Sequence, residues 1–173
     1  MKKLTWVVGV VVLGSVLFAG CGKYKSFNEE TAVLNEDYMK MVASAFKQNK
    51  NERNAALQQF QQDYDKAFAD VAKRWKENAE TSPAHLNFQA VYCKQTIQEP
   101  YQEKVNEIVE KYTDEFGEAF KTQNKEKMNS FAVKAGTELG TLSALYEQKA
   151  KANDCTLSET NAGDLMGMLV TKI

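Results

Sequence analysis

Few side chains in this sequence carry catalytic or ligating chemistry, and their spacing narrows the chemistry further. His85 is the single histidine, and there are three cysteines, Cys21, Cys93 and Cys155. A haem inside a helical bundle would need His85 with a methionine such as Met39, Met41 or Met128. His85, however, stands at the start of a predicted helix, where a histidine is normally solvated or capping. No Cys-x-x-Cys occurs, and His85 is eight residues from Cys93, so no zinc set is assembled locally. The chain has no C-x-x-C-H for covalent haem, no Glu-x-x-His for a di-iron site and no H-E-x-x-H for zinc. It also lacks a G-x-S-x-G nucleophile elbow and a Gly-rich phosphate loop. The expectation is a protein that is not an enzyme and uses no metal or cofactor.

Charge is concentrated at Glu99, Glu103, Glu107, Glu110, Asp114 and Glu118, which fall on one side of a predicted helix. Lys104 and Lys111 partly compensate, and Glu107–Lys111 has the favourable i,i+4 spacing. Such a face is ordinarily the solvated side of an amphipathic helix. Its alternative use is a docking strip for a basic partner, with Glu103, Glu107, Glu110 and Asp114 as the contact residues. No EF-hand spacing is present to suggest calcium.

The N-terminus has a more specific pattern. Lys2 and Lys3 precede an apolar stretch from Leu4 to Ala19. That stretch is about 16 residues, roughly 24 Å as a helix, where a membrane span needs about 20 residues. A basic start, a short apolar segment and small residues form the layout of a secretory signal. Ala19, Gly20 and Cys21, with Phe18 where Leu is usual and Leu17 before it, resemble the lipobox of bacterial lipoproteins. The resemblance covers residues 1–21 only. It implies cleavage before Cys21, diacylglycerol on the Cys21 sulfur, and acylation of the freed amine with a fatty acid such as palmitate. Two or more acyl chains anchor stably, so the membrane would be one partner. Gly22 after the cysteine implies outer-membrane sorting, with the protein facing the periplasm or exposed at the surface. On this reading residues 1–20 are removed, residues 21–26 form a tether, and residues 27–173 form one domain.

Without Lys2 and Lys3 the 22 basic residues become 20 against 23 acidic ones, a formal charge of −3. The charges are interspersed, and no basic excess suggests nucleic acid. If Cys21 is acylated, Cys93 and Cys155 remain as an even pair in an exported chain, and oxidising compartments join such pairs.

Apolar periodicity of three and four residues predicts helices over about 27–48, 51–79, 83–122 with a break near 100, 125–152 and 158–171. Ser26 with Glu29, and Thr96 with Glu99, read as capping boxes. Ser82–Pro83 reads as a helix start, and Ser158 as the cap of the last helix. The fold class is all-α: an antiparallel bundle of about four helices with a short C-terminal helix, stapled by one disulfide. Cys93 and Cys155 each lie 31 residues from Asn124 in a polar turn. Equal helical rise along an antiparallel hairpin places them at one level, at its open end.

Two further features admit two uses each. Ala132, Gly136, Gly140 and Ala144 recur every four residues, which suits close approach of a neighbouring helix or, alternatively, a shallow ligand groove. In the tail, Leu165, Met168 and Leu169 form an apolar stripe that either covers a seam of the core or binds a partner. The composite expectation is a non-enzymatic, membrane-anchored envelope lipoprotein that binds or braces another envelope protein. The alternatives are a surface protein recognising a host, phage or mating cell, and a carrier of a small apolar ligand.

Overall fold

Six α-helices, one π-helical turn and their connections make up the described part of the computed structural model, residues 24–173. Among the described residues there is no strand. Helix α1 spans Phe27–Ala45, α2 Lys50–Trp75, α3 Phe88–Cys93, α4 Glu99–Lys121, α5 Lys125–Ala152 and α6 Ala162–Lys172. The π-helical turn, Lys94–Gln98, joins α3 to α4.

Short polar residues set most of the boundaries. Ser26 caps α1 by accepting the Glu29 N–H at 3.2 Å, but the Glu29 carboxylate accepts from the Lys25 N–H. The predicted box is therefore half formed. Asn49 and Asn124, both in the predicted polar turns, cap α2 and α5 by accepting from Glu52 and Lys127. Asn161, not Ser158, caps α6, with a reciprocal capping box to Asp164. The backbone of Ser158 is instead bonded in both directions by the Gln98 amide.

The largest departure from the periodicity lies between α2 and α3. Lys76 adopts a left-handed conformation with φ 58° and ends α2; residues 77–79 and 83–87, where helix was expected, lie with 80–82 in turns and irregular backbone. Ser82 accepts from the Ala84 and His85 backbone in a turn, and the next helix starts at the Asn87 cap. Side chains of α1 and α2 replace the helical hydrogen bonds there. Gln61 donates to the Leu86 carbonyl and accepts from the Phe88 N–H. Tyr64 accepts from the Leu86 N–H, and Asn35 donates to the Ala84 carbonyl. Every buried backbone group needs a partner, and here distant side chains supply it.

Pro100 does not break its helix. It lacks an N–H and its ring crowds the carbonyl four residues back, so a regular α-turn is disfavoured there. The ladder widens just before it, and the Glu99 N–H bonds to the Lys94 carbonyl. Thr96 is not a cap; its hydroxyl donates to the Tyr92 carbonyl at 2.7 Å. The helical path thus continues from Phe88 to Lys121.

The bundle holds two hydrophobic clusters. One, from α1, α2 and α3, is centred on Val42, Leu57, Tyr64, Phe68, Phe88 and Tyr92. The other, from α4, α5 and α6, contains Tyr101, Val105, Val109, Phe116, Leu139, Leu165 and Leu169. Along α3 the chain moves from Phe88, packed on Tyr64 and Tyr38, to Tyr92, packed on Phe46 at the end of α1. It therefore runs toward the α1–α2 turn, and α4 leads on beyond that turn for roughly 35 Å.

Candidate functional site

Cys21, the residue expected to carry the lipid, lies outside the described residues. Cys93 and Cys155 form a disulfide with Cα atoms 5.5 Å apart. Cys93 ends α3 and Cys155 follows α5, so the bond closes the open end of the α4–α5 hairpin across the π-turn. Cys155 also packs against both hydrophobic clusters, which makes this bond the covalent centre of the molecule.

Around the disulfide lies a polar junction that sequence reasoning missed. Arg53, only 3% exposed, donates Nη1 to the Tyr92 hydroxyl at 2.9 Å, and that hydroxyl donates to Asn153 Oδ1 at 3.1 Å. The Arg53 Nε has no partner. Nearby, Lys50 pairs with Asp154 at 2.9 Å and Asn54 donates to the same carboxylate. The Lys50 ammonium holds the Asp154 carboxyl below its ordinary range, aided by Asn54. Asp154 itself takes φ 57°, which turns the chain back toward Cys155. The available signal was Arg53 standing four residues before Leu57 in the apolar register of α2.

His85 lies in the turn segment rather than on a helix. Its Nε2 is 2.9 Å from Asp65 Oδ1, and its ring packs against Tyr64 and Phe68. Its neighbours account for it as a packing residue. Among the described residues, no three His, Cys, Asp or Glu side chains converge as a metal-binding group.

The acidic strip on α4 is exposed, as its register predicts. The pairings differ from the expectation: Glu107 pairs with Lys104 at 2.6 Å, while Lys111 reaches across to Glu138 on α5. Glu110 is 3.4 Å from Lys172 of α6. Lys111 and then the Tyr112 hydroxyl hold the Glu138 carboxyl below its usual range. Glu103 and Asp114 point to solvent, so the docking strip is narrower than the sequence suggested.

The tail resolves in favour of the core. Leu165 and Leu169 are 1% and 0% exposed between α4 and α5, and Met168 packs partly buried against the same cluster. Tyr101 holds the approach to α6, accepting the Thr160 N–H at 3.0 Å beside Ser143. Leu165 and Leu169 are thus unavailable as a partner-binding stripe.

The small-residue strip does not serve the close approach of a neighbouring helix among the described residues. Gly140 and Ala144 face solvent, and nothing lies within 4 Å of where a Cβ on Gly136 or Gly140 would sit. Among the described residues no helix packs closely there, and most of the described tyrosines and phenylalanines are engaged in the two clusters. On the other flank of α5, an open groove of about 450 Å³ separates it from α4. Ile108, Leu142 and Leu145 form its apolar part, with Lys104, Lys111 and Glu138 at the rim. Its visible signal was Leu145, which falls off the core stripe of α5.

Among the described residues no helix is long and apolar enough to cross a membrane. No protein-family model, curated protein or solved structure matches the chain.

Proposed function

We propose that this chain is a lipid-anchored, non-enzymatic helical protein of the bacterial cell envelope that binds or braces another envelope protein. The observation supporting the bracing role is the layout of the two hairpins. The residues that follow the tether start α1 at Phe27, at the open end of the α1–α2 hairpin, beside Phe68. From the far end of that hairpin, α4 and α5 lead away. A chain fastened at Cys21 would hold its second hairpin out from the bilayer. The exposed carboxylates Glu103 and Asp114, with Glu107 and Glu110 beside them, offer a basic partner its contact.

Cys21→Ala tests the anchor: the variant is expected in the soluble fraction or as an unprocessed precursor. Unchanged membrane fractionation would rule out lipidation. In-cell crosslinking followed by identification of the captured protein tests the bracing role. Glu103→Lys with Asp114→Lys is expected to abolish that capture, and capture that survives places the partner elsewhere. Protease added to intact cells separates a periplasmic brace from a surface recognition protein, because only the latter is digested.

A further inference from the structure

We infer that Asn153, Asp154 and Cys155 form a latch whose disulfide locks a hinge at the π-turn Lys94–Gln98. With the bond intact the two halves of the molecule are held at one angle; with it reduced they swing as separate folded bodies. The halves have separate cores. Along the helical path the buried residues of the first cluster end at Tyr92 and those of the second begin at Ile97, with no buried residue between them. Among the described residues only Cys155 packs against both clusters, and it is partly buried. The path crosses this gap in the π-turn, and a widened ladder of that kind is a common place for a helix to bend.

The remaining ties between the halves converge on three consecutive residues. Among the described residues, the hydrogen bonds, ion pair and covalent bond that side chains of α2 and α3 send past the π-turn end on Asn153, Asp154 and Cys155. Tyr92 and Gln89 donate to Asn153, Lys50 and Asn54 hold Asp154, and Cys93 is bonded to Cys155. The Lys50 and Asp154 side chains are 42% and 55% exposed, and an ion pair in such contact with water contributes little. The covalent bond therefore decides whether the latch is closed. Both cysteines are partly exposed, so a dithiol can reach them. One thiolate of the dithiol attacks a sulfur, the S–S bond breaks as a mixed disulfide forms, and the dithiol's second sulfur displaces the protein thiol. Two electrons and two protons pass to Cys93 and Cys155, and the dithiol leaves as its own disulfide. Each half keeps its own apolar core through this step, and the motion left open to them is bending at a few residues between two rigid bodies. The lock is a property of the fold and stands whether or not a partner is braced.

Nitroxides carried on p-acetylphenylalanine in place of Lys66 and Ala144 report the angle without using a cysteine for labelling. Lys66 of α2 and Ala144 of α5 are both exposed and lie in different halves. In the full chain in mild detergent, pulsed electron paramagnetic resonance is expected to give one narrow distance when oxidised. After dithiothreitol that distance should be lost to a broad distribution, and Cys93→Ser with Cys155→Ser should give the same broad distribution without reductant. A second label pair replacing Glu118 and Ala144, both in the α4–α5 hairpin, should stay narrow throughout, with the helical circular dichroism retained. Lys50→Ala with Asn54→Ala should leave the oxidised distance narrow, because the covalent bond suffices. A narrow Lys66–Ala144 distance that survives reduction overturns the inference. So does broadening of the Glu118–Ala144 pair on reduction, since the bond would then hold the hairpin itself together. Broadening by Lys50→Ala with Asn54→Ala in the oxidised protein overturns it as well, because the lock would then be electrostatic.

Discussion

The Arg53 guanidinium lies 4.2 Å from the centre of the Tyr92 ring and donates to its hydroxyl, and among the described residues no carboxylate forms a salt bridge with it. A buried cation held by an aromatic ring and a phenol depends on that phenol. Tyr92→Phe leaves Nη1 without its acceptor beside the already unpartnered Nε, and should destabilise the fold by about 1–3 kcal/mol. Arg53→Met removes the charge and its donors while retaining much of the apolar stem, and should cost less. Urea unfolding of both variants gives the order, and the reverse order would show that the guanidinium itself contributes more than its burial costs.

The Cys93–Cys155 bond closes a loop of sequence separation 62 at the point where the two clusters meet. In the chain-entropy model such a loop is worth about 4 kcal/mol, or a melting shift of about 10 °C for a chain of this size. Cys93→Ser, or reduction of the intact protein, should lower the melting temperature by that order. Circular dichroism at low temperature should stay helical, because neither cluster needs the bond to bury its apolar residues. Identical melts with and without reductant would remove the staple from the account of stability.

Tyr64 is fully buried, donates to Asn35 at 2.8 Å and accepts from the Leu86 N–H. Burial pushes its phenol up to about 12. The raised value means that the fold favours the neutral phenol. This contribution is complete below the ordinary value near 10 and is lost as pH rises through about 12. Stability should therefore fall over that alkaline window. Tyr64→Phe should be less stable at neutral pH, having lost both bonds, but should show a shallower alkaline decline. An equal slope in both proteins would assign the decline to other groups.

Leu169 is completely buried where α6 covers the α4–α5 seam. Leu169→Ala should cost about 2–5 kcal/mol, the range for a large-to-small core substitution. Chemical denaturation measures the cost. A loss below about 0.5 kcal/mol, ordinary for a surface site, would return the tail to the list of binding elements.

Helix content and most helix ends are local properties, and they were legible residue by residue. The apolar steps in α2, α4 and α5 lie where the chain is helical, and Asn49 and Asn124 occupy turns that the polar runs marked. The register of Cys93 and Cys155 about Asn124 needed only helical rise, and the two sulfurs are bonded. Segments governed by distant partners were not legible. Residues 77–87 carry a helix start signal at Ser82–Pro83, yet Gln61, Tyr64 and Asn35 bind their backbone in turns. Nothing local to Pro100 announces that a π-turn will absorb it. The small-residue row on α5 and the stripe on α6 look alike as apolar patterns, but they have opposite fates. Periodicity states that a face is apolar and cannot state what covers it. Tertiary packing buried Leu165 and Leu169 against α4 and left Val133, Gly140 and Leu145 open, because α6 is long enough to close only one side of the α4–α5 hairpin.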